Sequence, residues 1–405
     1  MWTSWGTGCT ASRWDGSGEG GRTGTGTRGR TSASRRPSPQ GEVTLKRRIT
    51  FRTIRRVVTV LLGALLFAAA AAWYVSDDVR YVVRAGYEEA RILLRRKPIA
   101  RLVADTATDA ATRSKLQLVL SARAYAADSL GLKAGATYTT YARVDRDTLI
   151  VVLTASRYDR LAEFLWSYPV VGQVPYKGFF SLDKAAEEAR RLEHIGMDTY
   201  LRPSSAFSTL GWFNDPLLST VLRDDSVELA ATVIHEILHN TVWVPGSVPF
   251  NESFANFVGY RGAEAFFRSR GERRNAERAA ARWRDELRLG RFYGDLVARL
   301  DALYAPGIAG PSLREERQRI FREAQALLAG PVGRSLETVS GAALAERPLN
   351  NASVLAQRFY LTNLEAFDRV LAAHKGALRA AVADVARRVA AGGDPWAALQ
   401  GERGR

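Results

Sequence analysis

Two histidines and a glutamate stand together in the middle of the chain. In His235-Glu236-Ile237-Leu238-His239 the histidines are four residues apart, and on an α-helix this spacing places both imidazoles on one face. Two imidazoles so placed suit a Zn²⁺ ion that keeps one position open for water. Glu236 flanks the same face, where it can take a proton from zinc-bound water and later return it to a leaving amine. The segment predicts a zinc-dependent hydrolytic centre.

The scarcity of histidine makes this pattern specific. The chain has four His in 405 residues, and two of them belong to the motif. The other two, His194 and His374, have no His or acidic residue at ligand spacing, so we expect them to be solvated helix residues. The alternative explanation of the motif is a pair of surface histidines on an amphipathic helix.

A third metal ligand is expected from a carboxylate beyond the motif. In one class of zinc peptidases this ligand is a His six places later, but Pro245 holds that place, which excludes the class. Twelve residues separate His239 from Glu252, which lies in the sequence NESFA, and we predict Glu252 as the ligand. The alternative is that Asn251 caps a helix whose positive N-terminus favours Glu252. The next carboxylate, Glu264, lies three turns further along.

Two helices must position these side chains. Asp225 followed by Glu228 resembles a capping box at the start of the first helix. The apolar positions that follow at helical spacing are Leu229, Val233, Ile237 and Leu238. A loop over residues 244–250, rich in Pro and Gly, would turn the chain back. The second helix is therefore expected to open at Asn251 and to run antiparallel to the first.

Upstream of these helices the pattern alternates between helical and extended. Residues 79–130 have helical periodicity, interrupted at Pro98. Residues 137–154 resemble two strands around Asp145-Arg146-Asp147, which predicts a hairpin. Residues 166–180 resemble two short strands around a turn.

The remaining body is predicted to be mostly helical. A helix is expected over residues 181–196, ending at Gly196, and an extended segment over residues 197–208, which Pro203 confines to a sheet edge or a strand end. From Asp225 onward the periodicity is helical almost throughout. The sequence thus predicts a mixed α/β half followed by an α half.

A basic flank and an apolar run precede the body. Residues 57–75 carry no charge, and at about 1.5 Å per residue they nearly span a hydrocarbon core of roughly 30 Å. Basic residues before the run and Asp77 and Asp78 after it orient the N-terminus to the cytoplasm. We prefer an uncleaved signal anchor; a signal peptide cleaved among residues 68–72 is the alternative. Both place the body outside the cytoplasm.

The charge balance excludes other classes. The net charge is +16, and residues 1–56 contribute 12 Lys and Arg against 3 Asp and Glu. A nucleic-acid partner is not expected, because basic recognition helices and interleaved aromatic platforms are missing. The single Cys, Cys9, excludes a disulfide framework and a Cys-based zinc finger. Residues 1–45 are expected to be a disordered basic arm or upstream sequence translated from a wrong start.

These motifs resemble the gluzincins, zinc peptidases with H-E-x-x-H and a Glu on a following helix. Within that group the chain is similar to a family of bacterial predicted aminopeptidases, usually membrane-attached, over about residues 79–375. Besides H-E-x-x-H, the segments that carry the resemblance are RRKPIA at 95–100, VPYKGFF at 174–180, AFSTLGWFNDPLL at 206–218, NESFANFV at 251–258 and LNNA at 349–352, followed by Tyr360.

The resemblance implies a zincin-like α+β fold. N-terminal helices would precede a small mixed or antiparallel sheet packed on the H-E-x-x-H helix, and a mostly helical C-terminal half would follow. Together with the composition, this predicts four parts: a disordered or mis-annotated extension (1–45), a basic flank with a transmembrane signal anchor (46–78), a zincin-like catalytic α/β part (79–260) and a helical part (261–405). By analogy, residues 202–210 would be an edge strand that binds the substrate backbone; the alternative is an ordinary loop with a packed aromatic residue.

The resemblance also implies an oxyanion donor, commonly Tyr or His. Tyr360 is the candidate, and its rivals are Tyr260, Tyr293 and Tyr304.

Several departures from the family pattern bear on function. No lipoprotein-type Cys follows the apolar run, and Ser167 and Gln173 stand where relatives often have a Cys pair. Phe207 replaces an expected Tyr. Gly259 stands where an acidic residue is common, which would remove a partner of a ligand His.

The sequence therefore predicts a membrane-anchored zinc metallopeptidase that acts on peptides, an aminopeptidase by resemblance. We expect it in the inner membrane as a single-pass protein whose catalytic part faces the periplasm. The alternatives are a zinc endopeptidase of the envelope and a catalytically weak, zinc-containing envelope binding protein.

Overall fold

A computed structural model describes residues 51–144, 150–168, 172–204, 216–305 and 310–400. Contacts divide the described residues into two compact units, one over residues 51–86 and one from Tyr87 onward. The N-terminal extension predicted over residues 1–45 lies outside the described residues. The domain boundaries predicted from the sequence stay predictions.

The first unit contains helix α1 (Phe51–Val75) and the beginning of α2 (Asp77–Arg95). Ile54–Val75 is the one stretch, within the described residues, that is long and apolar enough to cross a membrane. Its aliphatic side chains are largely exposed among the described residues, Leu66 by 70%. Length and composition suit a membrane span and a signal sequence equally.

Eight short strands lie within the described residues: β1 (Lys97–Pro98), β2 (Thr140–Ala142), β3 (Ile150–Arg157), β4 (Trp166–Tyr168), β5 (Gly172–Val174), β6 (Tyr176–Phe179), β7 (Met197–Ser204) and β8 (Leu217–Leu218). They form a mixed sheet in the order β1-β2-β8, an antiparallel sheet in the order β6-β3-β7, and a β4–β5 hairpin. Strand β7, which carries Pro203, is an edge strand as predicted.

The hairpin predicted within residues 137–154 is wrong. Strands β2 and β3 belong to different sheets, and β3 pairs on its two sides with β6 and β7. Almost all of β3 is buried, so this strand needs neighbours on both edges, and those come from distant parts of the chain. The turn residues 145–147 lie outside the described residues.

The rest of the second unit is helical. After α2 come α3 (Ile99–Ala104), α4 (Ala110–Asp128), α5 (Leu182–His194), a 3₁₀ turn (Val221–Arg223), α6 (Ser226–His239), α7 (Val248–Ser269), α8 (Arg273–Tyr304), α9 (Gly310–Ala329), α10 (Pro331–Ser335), α11 (Gly341–Ala345), α12 (Asn351–Arg358), α13 (Leu364–Ala373), α14 (Leu378–Ala390) and α15 (Pro395–Leu399). The protein is α+β and mostly helical with small sheets, and the helical half after Asp225 is confirmed.

Helix α6 forms the centre of the main core. It packs chiefly against α4, α7 and α8, and nine of its residues are buried. The surroundings of this helix are therefore mostly helical, whereas we expected a sheet to pack on it. Aromatic rings fill the neighbouring space: Phe254, Phe257 and Phe367 stack on one another with ring centroids 5.2–6.3 Å apart. This dense packing gives α6 a rigid setting.

A buried polar junction joins the antiparallel sheet to the helices. Asn351 donates from its side chain to the carbonyl oxygen of Arg157 (2.9 Å), and its backbone N–H donates to Asp198 (2.8 Å). Arg317 forms an ion pair with Asp198, and the Tyr304 hydroxyl donates to Asn351 (2.8 Å). Strands β3 and β7 are thereby fastened to α12, near the start of that helix.

Candidate metal centre

The helix of the H-E-x-x-H motif begins at a side-chain cap. The Asp225 carboxylate accepts hydrogen bonds from the backbone N–H groups of Val227 (2.8 Å) and Glu228 (3.3 Å), as the sequence predicts. Glu228 does not complete a capping box. It accepts instead from the Tyr260 hydroxyl (3.0 Å) and from Arg282 (3.1 Å), which ties the start of α6 to α7 and α8.

His235, His239 and Glu252 come together in a group that can hold a metal ion. One ligand atom from each lies within 4.8 Å of the others. His235 Nε2 is 3.3 Å from one Glu252 oxygen, and His239 Nε2 is 3.7 Å from the other. The rings of the two histidines stand nearly perpendicular, with centroids 4.9 Å apart. Two nitrogens and a carboxylate at these separations fit the ligand set of a zinc site that leaves one position open.

The donor atoms of this group are buried and unsatisfied. His235 is 2% and Glu252 is 1% exposed. Both Glu252 oxygens and Nε2 of each histidine lack a hydrogen-bond partner of acceptable geometry within the described residues. Unpaired buried polar atoms are costly, and a cation bound among them would remove that cost. The residues present therefore fit a metal ion.

The protonation states also suit a cation. Burial lowers the pKa of His239 to about 4, although the charge of Glu252 opposes the change. Burial acts to raise the pKa of Glu252, but His239 and His235 outweigh it and the pKa is lowered. A neutral imidazole and an ionised carboxylate are the forms that bind metal.

Helices α6 and α7 run antiparallel and approach closely at two glycines. A Cβ at Gly259 would lie 2.9 Å from the Ala231 carbonyl oxygen and 3.3 Å from the His235 Cβ. A Cβ at Gly262 would lie 3.0 Å from Ile234. The sequence suggested that Gly259 had lost an acidic partner of a histidine; in this packing the position has no room for such a side chain.

Asn251 locks the loop between the two helices, a role that the sequence did not reveal. Helix α7 begins at Val248, three residues earlier than predicted, so Asn251 is not its cap. Its side chain accepts from the Val244 N–H (2.9 Å) and donates to the Val244 carbonyl (2.8 Å). Glu252 then lies in the second turn of α7, beyond the first-turn positions where the helix dipole acts most strongly.

The two predicted catalytic residues interact electrostatically with each other, and Tyr360 also interacts with Glu252 of the His-His-Glu group. Glu236 follows His235 on α6 and is partly exposed. Tyr360 comes just after α12, and the Asn256 side chain donates to its carbonyl oxygen (3.3 Å). Burial raises the pKa of Tyr360 far above its usual value; the charges of Glu252 and Glu236 add to the rise and Arg202 opposes it. Tyr360 thus lies within electrostatic range of both carboxylates.

The rival residues are engaged elsewhere. The Tyr260 and Tyr304 hydroxyls donate to Glu228 and Asn351, and Tyr293 lies near Tyr200. Glu264 binds Arg261 and Arg268, His194 is exposed at the end of α5, and His374 contacts Asp384 at 3.1 Å. The expectation that His374 is merely solvated is wrong, because its partner Asp384 is brought close by the turn between α13 and α14.

The predicted substrate-binding strand is described only in part. Arg202 lies in the edge strand β7, which ends at Ser204. The remainder of residues 202–210, Phe207 and the Gly-Trp-Phe sequence at 211–213 lie outside the described residues.

The structure is that of an α+β protein with a buried His-His-Glu group that can hold a metal ion. A family model described as "Putative aminopeptidase" matches residues 80–392, well over half of the chain. The chain therefore belongs to this aminopeptidase family, which implies a peptide substrate. No curated protein and no solved structure matches it.

Proposed function

We propose that the chain is a zinc-dependent aminopeptidase of the gluzincin type. The observation that carries the proposal is the convergence of His235, His239 and Glu252, with ligand atoms within 4.8 Å of one another, in a member of an aminopeptidase family. The three side chains would hold Zn²⁺, which supplies Lewis-acid polarisation of the peptide carbonyl and a lowered pKa of water.

The chain's own residues would perform the proton transfers. Glu236 takes a proton from the attacking water and returns it to the amine that leaves. Tyr360 donates a hydrogen bond to the carbonyl oxygen as negative charge develops there. Burial and nearby carboxylates keep the Tyr360 hydroxyl protonated, and a donor needs that form.

We also propose that α1 anchors the protein in the inner membrane with the body in the periplasm. Basic residues precede the apolar stretch and Asp77 and Asp78 follow it, as in helices whose N-terminus stays in the cytoplasm. The exposed aliphatic surface of α1 suits a lipid environment.

Metal content and peptide turnover of the full chain in detergent test the enzymatic proposal. We expect one zinc per chain and cleavage of unblocked peptides. Glu236→Gln should keep the zinc and lower turnover at least 100-fold. Glu264→Gln, which alters a carboxylate paired with Arg261 and Arg268, is the matched control and should retain activity. Full turnover by Glu236→Gln, or a protein that binds no metal, would contradict the proposal.

The exopeptidase assignment needs its own comparison. An aminopeptidase recognises the free α-amine, so N-acetylation of a peptide should abolish its cleavage. Equal cleavage of the acetylated and free peptides would instead identify an endopeptidase that uses the same metal group.

A further inference from the structure

Arg202 is a cation of the edge strand β7 that pairs with no carboxylate among the residues that the structure describes. Its guanidinium carbon lies 5.9 Å from the centre of the Tyr360 ring, and its side chain is partly buried. In the portion of the chain that the structure describes, no carboxylate forms an ion pair with it. Other partly buried arginines near the core, such as Arg261 and Arg282, each pair with a carboxylate. The guanidinium forms a hydrogen bond with the Tyr360 side chain, and its remaining N–H donors can still bind an external anion.

Residues 359–363, between α12 and α13, carry Tyr360 and link Arg202 to the His-His-Glu group. The Ser253 hydroxyl accepts from the Thr362 N–H (3.1 Å), and Asn256 donates to the Tyr360 carbonyl (3.3 Å). Ser253 follows Glu252, and Asn256 lies one turn beyond it on α7. The backbone at Tyr360, whose ring lies beside Arg202, is thus held against the helix that carries Glu252.

Strand β7 is held in place from its other side as well. Asn350 donates to the Thr199 carbonyl (2.9 Å), and the Asn351 N–H donates to Asp198 (2.8 Å). Both bonds join β7 to the start of α12, the helix that leads to Tyr360. The strand from which Arg202 extends is therefore fixed relative to the helix that leads to Tyr360.

We propose that Arg202 binds a carboxylate of the peptide substrate. A guanidinium matches a carboxylate with two parallel hydrogen bonds, and partial burial strengthens the attraction. The same positive charge would repel a peptide's α-ammonium group, so the amine must enter on another side of the metal group. This inference rests on the proposed peptidase function and adds a preference for peptides that carry a carboxylate near the scissile bond.

Two sources could supply that carboxylate, and paired peptides distinguish them. Ala-Ala-Ala against its C-terminal amide tests the free terminus of a short peptide. Ala-Glu-Ala amide against Ala-Gln-Ala amide tests an acidic side chain. Binding is measured by calorimetry on full-length, zinc-loaded Glu236→Gln protein, which separates recognition from turnover. We expect the carboxylate member of one pair to bind about 10- to 100-fold more tightly, as a charge-assisted hydrogen bond supplies.

Substitution of Arg202 in that same protein decides the assignment. With Arg202→Met the ratio between the two members of the preferred pair should fall to about one, and Arg202→Gln should lower it similarly. Tyr360→Phe should leave the ratio intact, because the guanidinium remains. Equal binding within both pairs by the parent protein would overturn the proposal, as would a ratio that survives both Arg202 substitutions. Either result leaves the zinc-peptidase proposal standing, since that depends on zinc content and turnover.

Discussion

Gly259 and His235 face each other across helices α6 and α7 at a separation that admits no side chain. A Cβ at position 259 would lie 3.3 Å from the His235 Cβ and 2.9 Å from the Ala231 carbonyl oxygen. A backbone oxygen in a helix cannot rotate away as a side chain can, so a larger residue at position 259 would force the two helices apart. Because α6 carries His235 and α7 carries Glu252, the metal group depends on this close approach.

Gly259→Ala should therefore weaken metal binding and destabilise the protein. Alanine favours a helix over glycine by about 1 kcal/mol, but the contact with Ala231 should outweigh this gain and lower the free energy of unfolding by about 1–3 kcal/mol. We expect zinc affinity to fall at least tenfold. Chemical denaturation and competition with a chelator measure the two effects.

Gly294→Ala is the matched control in helix α8. A Cβ there would meet nothing within 4 Å, so only the helix propensity changes and stability should rise by about 0.5–1 kcal/mol. If Gly259→Ala were as stable as Gly294→Ala and bound zinc normally, the close approach would not matter.

Asn251→Ala should loosen the loop that leads into the turn of α7 that carries Glu252. The substitution removes both hydrogen bonds to Val244, and we expect a loss of about 2 kcal/mol of stability together with weaker zinc binding. Asn240→Ala removes one exposed side-chain bond to Thr137 and should change stability by less than about 1 kcal/mol. Similar zinc affinities in the two variants would show that Asn251 does not position Glu252.

The features of the fold that could be predicted from the sequence are those that depend on the spacing of nearby residues. The cap at Asp225, the course of α6 and the edge position of β7 follow from residue types within a few positions. The partners of β3 could not be found this way, because its neighbours come from distant segments and a nearby turn signal suggested the wrong one. The close contact at Gly259 could not be predicted either, because the role of a glycine in a helix depends on which backbone packs against it.

Asp224, which precedes α6, has a raised pKa, so we expect the stability of the protein to depend on pH. Burial raises the pKa of Asp224 from 3.8 to about 6, and the charges of Glu228 and Asp225 add to the rise. The ionised carboxylate therefore destabilises the fold above pH 6, and this cost disappears below about pH 4, where both states are protonated. Asp224→Asn should be more stable than the parent by about 1–2 kcal/mol at pH 8, allowing for partial exposure.

Urea unfolding across pH 4–8 measures the difference in stability between Asp224→Asn and the parent protein. This difference should shrink as the pH falls from 6 to 4. Asp109 provides a control of opposite sign, because its carboxylate caps α4 and hydrogen bonds from Thr112 lower its pKa. Asp109→Asn should therefore be less stable than the parent near neutrality. A constant gain for Asp224→Asn at every pH would show that the charge of Asp224 has no part in it.

Tyr360→Phe should lower turnover and leave the metal group intact. The hydroxyl is proposed to stabilise the developing oxyanion, and loss of one such donor costs about 100- to 1000-fold in kcat. Zinc content should not change, because Tyr360 is not among the three proposed ligands. Tyr293→Phe alters another buried tyrosine, one that lies near Tyr200, and should keep most of its activity. If Tyr360→Phe retained parental kcat with every peptide, the oxyanion donor would have to be sought on another residue.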